Sequence, residues 1–327
     1  MKLEGAITAM VTPMREGAID EAGVGRFVRS QLDGGIEGLL VNGSTGEAAT
    51  LTDDEQEYLL RLVIDRVGGA VPVIGGVGSK STHGAVSQAR RAQAAGADAV
   101  LVVCPAYNRP TQRGLVAHFR AVIDAVDLPV VLYNVPSRTV SDLQPEAVQE
   151  LAEHPRVIGL KDATGDMKRA ARTLRLVPDD FGIVSGDDHT SFAICTLGGT
   201  GSISVASNIV PRAIVDLIRA ARSTDPAEQA RGRALNLKLM PLFDALFVES
   251  NPIPVKAAAR WLGFVPSDEM RLPLTALTEA GADVLAAAMD EFGLSFDRVP
   301  PHPPTLGPGQ PLLHEARTKT VDLGERD

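Results

Sequence analysis

Val157-Ile158-Gly159-Leu160-Lys161-Asp162-Ala163-Thr164-Gly165-Asp166 is the stretch on which the reading of the fold turns. An apolar run that ends in Thr-Gly-Asp predicts a buried strand, a turn and the start of a helix. The same unit recurs in both directions along the chain. Before it, strands are expected over residues 5–13, 38–41, 71–77, 99–103 and 129–133; after it, over 181–184 and 202–205. Helical spacing of apolar residues fills the intervals, at 20–32, 52–67, 81–95, 112–126, 145–152, 166–176 and 189–197. The second of these opens on Thr52-Asp53-Asp54-Glu55, a capping-box pattern.

Strands that alternate with helices pair in parallel, because each crossover needs a helix. Eight such units close into a (β/α)₈ TIM barrel. An open doubly wound sheet is the competing architecture, but the first strand-to-helix turn lacks the Gly-x-Gly-x-x-Gly fingerprint. Beyond the eighth unit the pattern is helical without strands, over 212–222, 227–247, 254–262 and 277–292. The expected organisation is therefore a barrel over 1–222, a C-terminal helical appendage over 223–293 and a tail over 294–327. Pro300-Pro301-His302-Pro303-Pro304 and Gly307-Pro308-Gly309 cannot build a core of their own, so the tail is expected to be flexible.

Hydrophobic content of 44% with 22% charged residues supplies ample core for a globular enzyme. A net charge of −9, from 41 acidic against 32 basic residues, argues against nucleic acid or an anionic membrane as partner. Cys104 and Cys195 both lie in apolar stretches and read as buried thiols rather than a disulfide framework. The N-terminal segment does not resemble a signal peptide, and no apolar run is long enough to span a bilayer. A cytoplasmic location is expected. The six histidines show no metal-ligand spacing, so neither a metal nor another cofactor is expected.

In a barrel the C-terminal strand ends share one face, which is where an active site forms. Lys161 stands at such an end with apolar residues behind it. An ammonium withdrawn from water has its charged form disfavoured, which makes neutral amine available for attack on a ketone and Schiff-base formation. A lysine that simply turns out to solvent is the bland alternative. Gly43-Ser44-Thr45-Gly46-Glu47, after the second strand, offers two hydroxyls and backbone N–H groups to a carboxylate. The chain has three tyrosines, and two of them, Tyr107 and Tyr133, fall on this rim, so each is a candidate for proton transfer. Tyr133 could relay protons through Ser44 and Tyr107. Arg138 can hold a carboxylate through two parallel hydrogen bonds, or make a surface ion pair. Asp187 and Asp188 are expected to cap the following helix.

Gly43–Glu47, Tyr107-Asn108-Arg109-Pro110, Tyr133-Asn134-Val135-Pro136, Lys161-Asp162-Ala163-Thr164-Gly165, Ser185-Gly186-Asp187-Asp188 and Asn251-Pro252-Ile253-Pro254-Val255-Lys256 occur here in order. Together they resemble the class I aldolase superfamily of dihydrodipicolinate synthase and N-acetylneuraminate lyase, over nearly the whole length to about residue 293. The resemblance implies condensation of pyruvate with L-aspartate 4-semialdehyde, giving 4-hydroxy-tetrahydrodipicolinate on the route to diaminopimelate and lysine. By the same match Lys161 forms the Schiff base, and Tyr133, Ser44 and Tyr107 move protons. Thr45 binds the pyruvate carboxylate, Arg138 meets the semialdehyde carboxylate, and Gly186 and Ile203 line the pocket. Tyr107 would reach a neighbouring subunit's site, which implies a dimer at least and a homotetramer as the usual assembly. Ser44 stands where most synthases carry threonine, a change that keeps the hydroxyl and is also seen in the lyases.

Three rivals remain at this level: a sister aldolase acting on a 2-oxo sugar acid or N-acetylneuraminate, a pyridoxal-phosphate barrel enzyme with its phosphate at Gly198-Gly199-Thr200-Gly201, and a pyruvate or dicarboxylate sensor without turnover. Where lysine-inhibited members of the superfamily hold the inhibitor, this chain has Asp53, Gln56, Lys80, Gly84 and Ala106, a set expected to leave it insensitive to lysine.

Overall fold

The structure, a computed structural model, describes residues 1–310. Eight parallel strands close on one another: β1 (Gly5–Ala9), β2 (Gly38–Val41), β3 (Val73–Val77), β4 (Ala99–Val103), β5 (Val130–Asn134), β6 (Val157–Asp162), β7 (Gly182–Ser185) and β8 (Gly201–Ser204). Each strand neighbours the next in sequence, and β1 closes the ring, with Ile7 opposite both Ile203 of β8 and Gly38 of β2. The expected (β/α)₈ barrel is the observed one.

The pleat divides the apolar residues between two cores. Ile7, Leu40, Ile74, Leu101, Val131, Val184 and Ile203 point inward and fill the barrel. The alternate positions, among them Leu39, Val41, Val100, Leu132 and Leu160, pack against the surrounding helices. Leu3 closes the floor: a Cβ at Gly159 would lie 2.6 Å from its Cδ2, and one at Gly182 would lie 2.5 Å from its carbonyl oxygen. Strands buried on both faces require this continuous apolar character. The capping box expected at Thr52 is present with both of its bonds, Glu55 N to Thr52 Oγ1 at 3.2 Å and Thr52 N to Glu55 Oε2 at 2.9 Å.

The first strand is shorter than its apolar run suggests. It ends at Ala9: Met10 N still bonds Leu40 O of β2 at 3.1 Å, but Val11 N turns to the side chain of Asn208 at 2.9 Å, and Pro13 has no N–H to offer. The chain then makes a small hairpin, Met14–Arg15 with Ala18–Ile19, which sequence periodicity does not reveal.

After β8 come α-helices Pro211–Arg222, Pro226–Ala245, Ile253–Trp261 and Glu279–Phe292. The third of them docks the appendage to the rim through Lys256. Its Nζ donates to Glu47 Oε1 at 2.6 Å and to the carbonyl of Glu269 at 2.5 Å, with no solvent exposure at either charged side chain. Arg271 adds bonds to Gly17 O, Thr50 O and the carboxylate of Glu55, which holds Glu55 at about 2, well below the usual range.

Residues 294–310, expected to be loose, are packed. Phe296 stacks on Trp261 with ring centroids 5.8 Å apart. Thr305 N donates to Met270 O at 2.9 Å, and Leu272 N donates to Thr305 O at 2.8 Å. The composition argument fails here because the segment needs no core of its own: Leu294, Phe296 and Val299 borrow the apolar surface of the appendage. The remainder of the expected tail, 311–327, lies outside the described residues.

Breaking a buried ion pair from one side leaves an uncompensated charge, at a cost on the order of 3–5 kcal/mol. Lys256→Met should therefore lower the midpoint of chemical denaturation sharply, and adding Glu47→Gln should restore much of the loss. Equal stability of Lys256→Met and the native chain would show that the pair does not anchor the appendage.

Candidate active site

Lys161 and Tyr133 are Cα partners across β5 and β6, with Val184 of β7 on the other side of the lysine. One register therefore aims both side chains into the barrel mouth, where Lys161 Nζ lies 4.4 Å from the centroid of the Tyr133 ring. The lysine is 5% exposed. Burial pushes its amine down to about 7; the Asp188 carboxylate opposes that shift and the Arg138 charge adds to it. Room for the chain comes from Gly186, where a Cβ would lie 2.8 Å from Lys161 Cε and 2.8 Å from the Ala163 Cβ. The bland reading of Lys161 as a solvent-turned lysine is excluded by this burial.

Burial pushes the Tyr133 phenol up to about 12, with the Arg138 charge and the Ser44 hydroxyl working against the rise. The phenol thus keeps its proton at neutral pH and can donate it. Ser44 is exposed at the mouth, while Thr45 is buried beside it. Thr45 Oγ1 accepts a bond from Asn251 Nδ2 at 3.0 Å, which leaves its own proton free to donate to an anion. The backbone carbonyl of Asn251 accepts from Arg138 Nη2 at 3.3 Å. Arg138 lies on a one-turn helix, Pro136–Thr139, too short for sequence periodicity to show. Ile203 is fully buried in the barrel interior with Tyr133 and Val184.

Six of the expected residues are thus gathered round one mouth, with Ser44 and Arg138 at its open side and Lys161, Tyr133, Thr45 and Gly186 deeper. Tyr107 is not brought to them. It is 81% exposed at φ 80°, with Lys80 Nζ over its ring 6.0 Å from the centroid. Its hydroxyl has no hydrogen-bond partner among the described residues. Asn251, noted in sequence only as part of a family-typical run, emerges as the link between the two expected anion binders.

Asp187 caps the helix Asp188–Thr196 by accepting from His189 N, as expected. Asp188 does not. It is buried, and its Oδ2 accepts from Val205 N at 3.0 Å and Ala206 N at 2.8 Å, so it secures the turn that follows β8. Both cysteines are buried and free, and burial pushes each thiol up to about 12, which makes them inert. Among the described residues there is no cluster of three His, Cys, Asp or Glu able to hold a metal, and no helix long and apolar enough to cross a membrane.

A closed parallel barrel with a desolvated lysine at the end of its sixth strand, beside a protonated tyrosine, defines the class I aldolase type of barrel. The chain belongs to the dihydrodipicolinate synthetase family, which it matches over residues 2–291. It is 44% identical to 4-hydroxy-tetrahydrodipicolinate synthase of Pelobacter propionicus over 291 residues, 89% of this chain and 99% of the relative. It is likewise 44% identical to the enzyme of that name from Pseudomonas aeruginosa over 293 residues, again 89% of this chain and 99% of the relative. The crystal structure of chloride-inhibited dihydrodipicolinate synthase from Acinetobacter baumannii, complexed with pyruvate, superposes with a TM-score of 0.86 at 39% identity. That match covers 90% of this chain and all of the other.

A side chain at Gly186 must displace Lys161. Gly186→Ala should fold normally yet lose most of its capacity to form an imine, read by borohydride trapping with pyruvate. Trapping at the native rate would show that the lysine reaches its ligand by another path.

Proposed function

We propose that this protein is a 4-hydroxy-tetrahydrodipicolinate synthase, condensing pyruvate with L-aspartate 4-semialdehyde through a Schiff base on Lys161. The observation that carries the reading is the lysine itself: buried, held near 7, facing Tyr133 and lying in the space left by Gly186. Relatives of that name at about two-fifths identity along nearly their whole length favour this substrate pair over a sugar acid.

Neutral Lys161 attacks the C2 carbonyl of pyruvate to give a carbinolamine. Tyr133 donates a proton to the departing hydroxyl, water leaves, and an imine forms. The Thr45 hydroxyl, oriented by Asn251, holds the pyruvate carboxylate. The Tyr133 phenolate takes a C3 proton to give the enamine, whose carbon adds to the aldehyde of the semialdehyde, and the alkoxide so formed takes that proton back. The amine of the semialdehyde then displaces Lys161 from the imine and closes the ring. Arg138 holds the second substrate's carboxylate at the open side of the mouth. Ile203 forms the apolar wall below the reacting carbons. Tyr133 exchanges protons with solvent through Ser44 and then Tyr107. An exposed tyrosine on a positive-φ loop suits a residue that completes a neighbouring subunit's site, and a homotetramer is the proposed assembly. No cofactor takes part in this scheme.

Of the five positions where lysine-inhibited members hold their inhibitor, two are already engaged. Gln56 Nε2 donates to Ala48 O at 2.9 Å, and Asp53 Oδ1 accepts from Gln88 Nε2 at 3.2 Å. Gly84 and Ala106 carry no group to pair with an ammonium, which supports the expected insensitivity to lysine.

Pyruvate with borohydride should modify Lys161, and Lys161→Ala should abolish both trapping and turnover. Because the amine is neutral above its folded value, the trapping rate should rise with pH through about 7 and then level. Mass mapping of the adduct to Lys168 or Lys256 would refute the mechanism.

Arg138→Ala should impair use of the semialdehyde far more than imine formation with pyruvate. The loss of a charge-assisted pair is on the order of 1.5–3 kcal/mol, tenfold to more than a hundredfold in kcat/KM. An equal loss for both substrates would make Arg138 structural.

A further inference from the structure

The Pro-rich segment 294–310 lies beyond the family match, which ends at residue 291. Nothing in the reaction scheme uses it. Its contacts nonetheless lead to the active-site rim in three steps. His302 donates its backbone N–H to Asp268 Oδ1 at 3.0 Å, and its ring Nδ1 lies 2.8 Å from the same oxygen. Thr305 pairs through its backbone with Met270 and Leu272, and its hydroxyl donates to Glu269 Oε1 at 3.3 Å. Gly307 lies against the hairpin turn, where a Cβ on Gly17 would come 2.4 Å from its carbonyl oxygen.

The segment 268–272, held on one side by these bonds, reaches the barrel on the other. The Glu269 carboxylate accepts from the backbone N–H groups of Glu16 and Gly17. The Glu269 carbonyl accepts from Lys256, whose second partner is Glu47. Arg271 donates to Thr50 O at 2.8 Å. Glu47 and Thr50 bracket the turn that directly follows Ser44 and Thr45. Arg138 is tied to the appendage more loosely, through the Asn251 carbonyl.

Prolines at 300, 301, 303 and 304 fix φ in the free chain, so the strap loses little freedom when it docks. A few backbone bonds are then enough to hold it. We infer that Thr305 and His302 are positioning residues: the strap they anchor clamps segment 268–272 onto the barrel and so fixes the loop carrying Ser44 and Thr45, the pyruvate side of the site. The identity of the ligand at Thr45 rests on the proposed function; the mechanical coupling does not.

The test uses the full chain with Thr305→Pro, which removes both the N–H bonded to Met270 and the hydroxyl, beside Thr305→Val and His302→Ala. Hydrogen exchange is followed at 44–50 and 268–272, with KM for each substrate. For Thr305→Pro, exchange in both segments should quicken about tenfold or more. Its pyruvate KM should rise roughly three- to tenfold, with the semialdehyde KM and kcat within about twofold. Thr305→Val and His302→Ala should move the same quantities by less and in the same direction, and they decide the matter should Thr305→Pro not fold. Three results would overturn the inference: segment 268–272 staying closed in Thr305→Pro, segment 268–272 opening without 44–50, or both KM values and kcat worsening together as in a general loss of structure. Absence of borohydride trapping in the native chain would instead refute the proposed function, and the exchange data would still decide the strap.

Discussion

Lys256 and Glu47 meet at 2.6 Å with neither side chain reaching solvent, and the rest of the site depends on that pair. Two charges taken out of water must find each other, because either one left alone is several kcal/mol less stable. An appendage docked a turn out of place would strand both. The pair therefore selects a single docking position, and that position brings Asn251 against Thr45 and Arg138. The Glu269 carbonyl, taking a second Nζ proton, extends the same constraint to segment 268–272 and to the strap beyond it.

Two buried lysines in one chain have opposite surroundings, and the contrast explains the chemistry. Lys256 is closed against a carboxylate and a carbonyl. Lys161 has an aromatic face, a glycine and barrel wall around it; the Asp188 carboxylate gives one oxygen, Oδ2, to two backbone N–H groups and opposes the downward shift of the lysine without pairing with it. The Tyr133 ring favours the ammonium to some degree, but desolvation outweighs it and brings the amine down to about 7. A nucleophile poised near neutrality needs burial without a dedicated counter-ion. The register of β5 and β6 provides it by pairing lysine with tyrosine across the sheet.

Much of this was legible in the chain because the underlying rules are local. Alternating strand and helix patterns gave eight parallel units, and a strand that stops at a turn places its last residues on the barrel rim. Lys161, Tyr133, Ser44 and Thr45 are reachable by that route, whereas Gly186 and Ile203 as pocket residues follow only from the family resemblance. Arg138 sits on a one-turn helix that no periodicity reveals, since four residues carry no period. The hairpin at 14–19 was missed for the same reason. The strap was misjudged because proline content measures the ability to build a core, not the ability to dock on one already built.

The sequence by itself determined the barrel, the rim and the chemical type of each rim residue, since strand period, turn residues and capping act over a few positions. Tertiary structure alone decided what holds the rim together. Asn251 meets Thr45 across 206 positions, and Lys256 meets Glu47 across 209. Contacts of that separation follow from the closure of the barrel and the docking angle of the appendage, to which no local periodicity refers. The same holds for Tyr107, which the chain leaves 81% exposed on its own surface. Its sequence position gives a loop after the fourth strand, and only the arrangement in space shows that its ring is left uncovered by the rest of the chain.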